Sequence, residues 1–286
     1  MRVIETQTKL RSQIQEWKRQ GLTIGFVPTM GNLHTGHLSL IALAKQKTDK
    51  VVCSVFVNPL QFGPNEDFAR YPRTFEQDRQ QLAEAQVDVL FFPKMEEMYP
   101  HGAQQTLVTV PAGLTDLLEG AERPGHFTGV ATVVLKLFNM VQPDVAVFGQ
   151  KDYQQWRVIQ TMVNDLALPI KLFAAPIART EQGLALSSRN QYLQGAQCDI
   201  APKLHVVLQD VALALRSGNR DFAALETAAQ KNLLAQGFDA VDYVQICHPE
   251  TLQFAGADDV EFVILAVARL GQTRLLDNLI VSLNEP

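Results

Sequence analysis

The sequence predicts an α/β fold, a doubly wound parallel sheet followed by a smaller C-terminal α+β domain. Three observations carry that expectation. Continuous apolar runs of strand length alternate with amphipathic stretches through the first 175 residues. From GHFTGVATVVLKLFNMVQ onward, consecutive elements of this part are joined by only a few residues. After them the order changes to two helical stretches followed by consecutive strands.

The alternation opens with LTIGFVPTM, LSLIALAKQ, VVCSVFVNP, FEQDRQQLAEAQ and VDVLFFP. Its strands are apolar throughout instead of every second residue, as a parallel sheet covered by helices on both faces requires, and right-handed crossovers then wind the sheet in both directions. GHFTGVATVVLKLFNMVQ reads as a helix, VAVFG as a strand, YQQWRVIQTMVNDL as a helix and IKLFAAPI as the last strand of this part. The two helical stretches are APKLHVVLQDVALALRSG and FAALETAAQKNLLAQ, and VDYVQICHP, EFVILAVARLG and TRLLDNLIV follow as strands. Helices followed by neighbouring strands form an α+β unit, so domains are expected over residues 1–175 and 176–286. The boundary is soft, because ARTEQGLALSSRNQYL has turn chemistry at both ends and no long linker.

Composition excludes several classes of function. With 286 residues and 47% hydrophobic content the chain can bury a sizeable core. A net charge of −5, with charged residues making up 19% and spread along the chain, gives no grip on nucleic acid phosphates. The N-terminal MRVIETQTKLRSQIQEW has no uninterrupted apolar core of signal-peptide length, and no stretch approaches the roughly 18 apolar residues of a membrane span. A cytoplasmic protein with no membrane or nucleic acid partner is expected. Cys53, Cys198 and Cys247 form no CxxC pair and read as buried thiols.

Ligands of open parallel sheets bind outside the carboxyl ends of the strands, so polar residues there that packing does not demand mark candidate sites. Four segments qualify. PTMGNLHTGHLSL leads from a strand into a helix, with Gly31 and Gly36 where a backbone can approach a ligand closely. Its His34 and His37 are three apart, on one face of a helix N-terminus whose unpaired N–H groups and dipole attract phosphate. A turn capped by two surface histidines is the plain alternative. Half of a zinc site is another, but no third ligand stands nearby and no metal site is expected. Neither GxGxxG nor GxxxxGK[ST] is present.

In FVNPLQFGPNEDFARYPRT, Asn58 and Gln61 both donate and accept and suit a small hydroxy acid or amine; Asn-Pro is equally a turn starter, and Asp67, Arg70 and Arg73 read as a solvated face. In FGQKDYQQW, Lys151 and Asp152 place a cation and an anion at the sheet's edge, with Gln155 one turn on; an Asp cap beside a surface lysine is the plain reading. In LALSSRN two hydroxyls beside an arginine offer donors to phosphate oxygens, in a sequence that ordinary loops also use. ERPGHFTGV carries Arg123 and His126, which either reach an anion or merely flank the Pro124–Gly125 turn. His101, His205 and His248 have no matching partners and read as structural or surface residues.

The histidine pair of HTGH resembles the HIGH signature of the nucleotidylyltransferase superfamily, and Ser187, Ser188 and Arg189 stand where its KMSKS-like loop falls. The order and wording of PTMGNLHTGH, FVNPLQF with YPRT, FGQKDYQQ and LSSRN resemble the pantoate–beta-alanine ligase family, from about Gly21 to Tyr192. The resemblance implies a Rossmann-like nucleotide- and pantoate-binding domain, with the C-terminal domain as a lid. It implies an ATP site lined by Met30, Gly31, Asn32, Leu33, His34, Thr35, Gly36 and His37, with His34 and His37 on the phosphates and His37 as proton donor. Gly149, Gln150, Lys151 and Asp152 would contact the nucleotide, Lys151 at phosphate and Asp152 at the ribose. Ala178 would meet adenine, and Leu186, Ser187, Ser188 and Arg189 would close on the phosphates. Gln61 and Gln155 would hold pantoate, Gln61 also lying near beta-alanine; many members carry Glu at Gln150.

The implied reaction joins pantoate to beta-alanine using Mg-ATP, through a pantoyl-adenylate, in a homodimer. His37, His34, Lys151 and Arg189 are the catalytic candidates. Both nucleophiles are substrates, which suits a chain with no GxSxG elbow. A nucleotidyltransferase of the same fold acting on another small substrate, an unrelated amide ligase and a non-enzymatic ATP sensor are the competing readings.

Overall fold

The computed structural model describes residues 1–64, 66–102 and 104–284. They divide into two compact units, Met1–Gln150 with Gln155–Pro176, and Lys151–Gln154 with Ile177–Pro286.

The first unit is built on a parallel sheet of β1 (Arg2–Ile4), β2 (Ile24–Thr29), β3 (Lys50–Val55), β4 (Val89–Phe91), β5 (Val145–Gly149) and β6 (Lys171–Ala175) in the order β1-β4-β3-β2-β5-β6. Its longer helices are α1 (Gln7–Arg19), α2 (Thr35–Lys47), α3 (Phe75–Glu84), α4 (His126–Val141) and α5 (Tyr153–Asp165). Winding runs outward from β2 through β3 and β4, then returns to β2's other side for β5 and β6. The order therefore reverses between β2 and β5, and in an open α/β sheet the crevice at such a reversal is where ligands bind. The strands are apolar because both faces are covered: Val27, Cys53, Leu90 and Val147 pack with Ile41 and Leu82 on one side, and Phe26, Phe138 and Phe148 meet edge to face in a separate contact. β1, absent from the expectation, pairs with β4 alone over three residues.

The second unit holds an antiparallel sheet of β7 (Ala240–Cys247), β8 (Glu261–Leu270) and β9 (Thr273–Ser282), in that order, with α6 (Lys203–Arg216) and α7 (Phe222–Ala235). Leu204, Leu208 and Leu215 of α6 and Leu233 of α7 share a core with Ile246, Phe262 and Ile264. Lys151–Gln154 group here because Asn278 donates to the Lys151 carbonyl (2.8 Å) and the Tyr153 hydroxyl donates to that of Pro249 (3.0 Å).

Cys53 and Cys247 are buried, and burial pushes each thiol up to about 12. Cys198 is exposed, contrary to the expectation, because its short helical turn Gln197–Ile200 buries no residue. Among the described residues no helix is long and apolar enough to cross a membrane, and no cluster of three His, Cys, Asp or Glu side chains is placed to hold a metal.

Candidate active site

The loop from β2 to α2 lies at the carboxyl end of a switch-point strand. It turns through two consecutive left-handed residues, Gly31 (φ 85°) and Asn32 (φ 51°). A Cβ on Gly31 would sit 2.9 Å from Asp78 Oδ2 and 3.0 Å from Val55 Cγ1, so glycine is needed for space as well as for conformation. Asp78 is why the loop holds this shape. Its carboxylate, buried on α3, accepts from the backbone N–H of Leu33 (2.8 Å) and of Asn32 (3.0 Å), and from the Thr74 hydroxyl (3.2 Å).

His34 caps α2. Its Nδ1 accepts from the Gly36 N–H (3.2 Å), while His37 Nδ1 accepts from the His34 N–H (3.3 Å), a reciprocal box made from two imidazoles. The rings stand 4.1 Å apart. A ring nitrogen that accepts carries no proton, so both neutral rings hold theirs on Nε2. The pair therefore presents N–H donors at the positive end of a helix dipole, a combination suited to phosphate oxygens. Leu33 is buried beneath the loop, Thr35 is exposed, and Met30 and Gly36 are half-buried.

At the end of β3 the short turn Pro59–Gln61 presents Gln61. Asn58, read from sequence as either a ligand for a small substrate or a turn starter, is buried with its amide committed. Its Oδ1 accepts from the Tyr99 hydroxyl (2.7 Å) and Leu60 N–H (3.3 Å), and its Nδ2 donates to the Gly129 carbonyl (3.2 Å) and Gln61 Oε1 (3.0 Å). Those four bonds exhaust an amide's capacity. With Oε1 so engaged, the Gln61 amide has its Nε2 left as donor, and this meets Met30 Sδ at 3.2 Å. Gly129 makes the arrangement possible, since a Cβ there would lie 2.2 Å from the Leu60 carbonyl oxygen.

Arg123 and His126 lie behind Gln61. Arg123 forms a two-pronged pair with Glu66 (2.8 and 2.6 Å), and His126 is buried. Burial, reinforced by the Arg123 charge, holds His126 down to about 4. Burial raises the Glu66 carboxyl, but the Arg123 hydrogen bond and charge outweigh it and leave Glu66 below its ordinary value.

β5 ends at Gly149, where an added Cβ would make an ordinary contact with Leu40 Cδ2 of α2 at 4.0 Å. Gln150 continues the sheet edge by donating its N–H to the Ala175 carbonyl (2.9 Å). Gln155 is half-buried in the first turn of α5. The first unit thus brings the Met30–His37 loop and Gln61 into contact through Met30, with Gly149 beside α2.

In the second unit, Lys151 Nζ pairs with Asp152 Oδ1 at 3.3 Å, the lysine mostly enclosed and the aspartate exposed. Ala178 and Leu186 face each other across a hairpin, the Leu186 N–H donating to the Ala178 carbonyl (2.9 Å). Ser187 then caps a short 3-10 turn over Ser188–Tyr192, its hydroxyl accepting from the Arg189 N–H (3.3 Å). Arg179 pins the hairpin to β9 through a bidentate pair with buried Asp277 (2.6 and 2.8 Å). Lys151 and the hairpin that leads to Arg189 are therefore moored on adjacent β9 residues, Asn278 and Asp277.

Sequence reasoning missed Asp78, Glu66 and the Arg179–Asp277 pair. Asp78 did leave a signal, because with half-buried Phe75 and buried Leu82 it occupies an i, i+3, i+7 stripe that is otherwise apolar. Asp277 and Asn278 interrupt LLDNLIV in the same way.

Comparison with known proteins agrees along the chain. The family model described as pantoate-beta-alanine ligase matches residues 2–280. A pantothenate synthetase of Hydrogenovibrio crunogenus is 58% identical over 283 residues, covering 99% of this chain and 100% of that protein. The crystal structure of pantothenate synthetase from Thermus thermophilus is similar with a TM-score of 0.91 and 46% identity, covering 98% of this chain and 99% of that one. The pantoate-beta-alanine ligase of Francisella tularensis, solved with beta-gamma ATP and beta-alanine, has a TM-score of 0.82 and 35% identity over 98% of this chain and 97% of its own. With its strand order, histidine-capped loop and full-length match together, the chain belongs to the pantoate-beta-alanine ligase family.

Proposed function

We infer that the chain condenses pantoate with beta-alanine at the expense of ATP, giving pantothenate. The observation that carries this reading is the His34–His37 box at the β2 switch point, in a chain matching ligases along nearly its whole length. The same coverage leaves the nucleotidyltransferase alternative unfavoured.

The chemistry proceeds in two steps. A pantoate carboxylate oxygen attacks the α-phosphorus of ATP and the bond to pyrophosphate breaks, leaving pantoyl-adenylate. The beta-alanine amine then attacks the acyl carbonyl, AMP departs with the acyl oxygen's bonding pair, and the nitrogen loses a proton. With both nucleophiles supplied by substrates, the protein's task is orientation and stabilisation of charge on phosphate. His34 and His37 supply Nε2–H donors, and Lys151, Ser187, Ser188 and Arg189 supply the cations and hydroxyls. Gly149, Gln150, Asp152, Ala178 and Leu186 hold the nucleoside. Gln61, presenting Nε2–H, meets an oxygen of pantoate, and Gln155 is its partner. Mg2+ enters as Mg-ATP; magnesium is commonly held by substrate phosphates with few protein carboxylates, and the described residues form no cage of their own. A homodimer in the cytoplasm completes the proposal.

The test follows pyrophosphate and AMP with pantoate alone and then with beta-alanine. Pantoate-dependent pyrophosphate and amine-dependent AMP are expected. Lys151→Ala and His34→Ala should fold normally and lose about 100-fold in adenylation, the usual worth of one well-placed charge-stabilising group. Near-normal rates in either variant refute the assignment.

A further inference from the structure

We infer that Arg123 and His126, braced by Glu66, are positioning residues that fix Gln61 from behind so that its amide meets pantoate in one orientation. This rests on the reading of Gln61 as a pantoate contact.

The Gln61 main-chain carbonyl receives two donors, His126 Nδ1 at 2.8 Å and an Arg123 terminal nitrogen at 3.2 Å. The other Arg123 terminal nitrogen lies 3.1 Å from His126 Nε2. A guanidinium only donates, so His126 Nε2 must accept; Nδ1 then carries the ring's single proton and gives it to Gln61. One tautomer satisfies every bond. Glu66 holds Arg123 by two bonds, and Glu119 Oε2 stands 3.9 Å from the same guanidinium. The groups facing the imidazole are thus Arg123, Glu66, Glu119 and the Gln61 carbonyl, and the ring stays neutral near pH 7.

Gln61 needs this support because it ends a 3-10 turn of only three residues, which has little cohesion of its own. Asn58 sets the side-chain amide's polarity through Oε1, and the Arg123–His126 pair sets the backbone from which that side chain springs. If the carbonyl is released, the turn can rotate and Nε2 is no longer held toward its ligand.

Two substitutions at one position separate positioning from bulk stability. Asparagine keeps a donor near the place of Nδ1, whereas leucine fills the space without one. Steady-state rates, with pantoate and ATP varied in turn, are compared for wild type, Gln61→Ala, His126→Asn and His126→Leu. Loss of one net hydrogen bond corresponds to about tenfold, so His126→Leu should raise the pantoate KM about that much, with the ATP KM within about twofold. His126→Asn should remain within about threefold of wild type. Equal losses in the two variants, or pantoate and ATP KM values rising together, overturn the inference. An unchanged pantoate KM in Gln61→Ala refutes the underlying reading of Gln61, while a normal Gln61→Ala defect beside a silent His126→Leu refutes only the positioning role. If His126→Leu does not fold, Glu66→Gln reads the same network from its outer end; a selective rise of about threefold in pantoate KM supports the inference, and no change overturns it.

Discussion

Replacing Asp78 by asparagine should weaken the first unit and the nucleotide loop together. The substitution preserves shape but converts one carboxylate oxygen into an NH2 group. Whichever oxygen is lost, the new donor faces a backbone N–H 2.8 or 3.0 Å away. Charge-assisted hydrogen bonds contribute about 1.5–3 kcal/mol each, and a stranded buried N–H costs about 1–3 kcal/mol. Partial relaxation of the loop sets the expected loss at about 3 kcal/mol, the low end of their combination. For a unit of this size that corresponds to a fall in Tm of about 6–12 °C. The Asn32 and Leu33 amides that lose their anchor directly precede the His34 cap, so the ATP KM should rise more than the beta-alanine KM. Thermal unfolding followed by circular dichroism, with initial rates at varied ATP, measures both effects. A Tm within about 2 °C of wild type, with an unchanged ATP KM, would refute the claim that this carboxylate organises the loop.

Three further outcomes follow from the same geometry. Arg179→Met leaves the Asp277 carboxylate buried without its bidentate partner and should cost about 3–5 kcal/mol, read as a lower denaturation midpoint; an unchanged midpoint refutes the clamp. Gly129→Ala forces a Cβ to within 2.2 Å of the Leu60 carbonyl oxygen, so α4 and the Gln61 turn must separate. A loss of about 2 kcal/mol or more is expected, with a raised pantoate KM, and wild-type behaviour in both measurements would show the approach to be incidental. His126, at about 4 in the folded protein against about 6.5 unfolded, releases its proton on folding. Its contribution is therefore complete above pH 6.5 and is lost as the pH falls toward 4; between pH 7 and 4.5 wild type should lose roughly 2–3 kcal/mol more than His126→Asn, and parallel losses refute the buried neutral ring.

The sheet was legible because its strands are apolar without alternation, a pattern that parallel pairing between two helical layers imposes on sequence. β1 escaped because three residues with only Ile4 buried carry no such run. The histidine loop stood out for a different reason: two glycines and two imidazoles gathered at the carboxyl end of a strand are not what an apolar core demands there. What could not be read was which polar groups serve a ligand and which serve the scaffold. Asn58 and Gln61 look alike in sequence, and only the arrival of Tyr99 and Gly129 from distant segments consumes one amide while the other's donor meets Met30 Sδ. Arg123 and His126 were left open in sequence between reaching an anion and flanking a turn, and nothing local records the bonds they make to Glu66 and the Gln61 carbonyl. Asp78 and Asp277 act across 45 and 98 residues of chain, on Leu33 and Arg179, and local pattern holds no record of such pairings.

The adjacency of Asp277 and Asn278 also encodes alignment. Successive strand residues face opposite ways, so one side of β9 delivers an anion to Arg179 and the other an amide donor to the Lys151 carbonyl. Were β9 to slip by one position against β8, where Ala266 opposes Asp277 and Leu265 opposes Asn278, the two would trade directions. Slipped one way, the Asp277 carboxylate would confront the Lys151 carbonyl oxygen and Leu276 would face the guanidinium; slipped the other way, the guanidinium would face the Asn278 amide and Leu279 the carbonyl. This dipeptide thus acts as a key that admits a single threading of the hairpin β8–β9. Any recombination or grafting of this unit onto a related ligase should carry both residues across together.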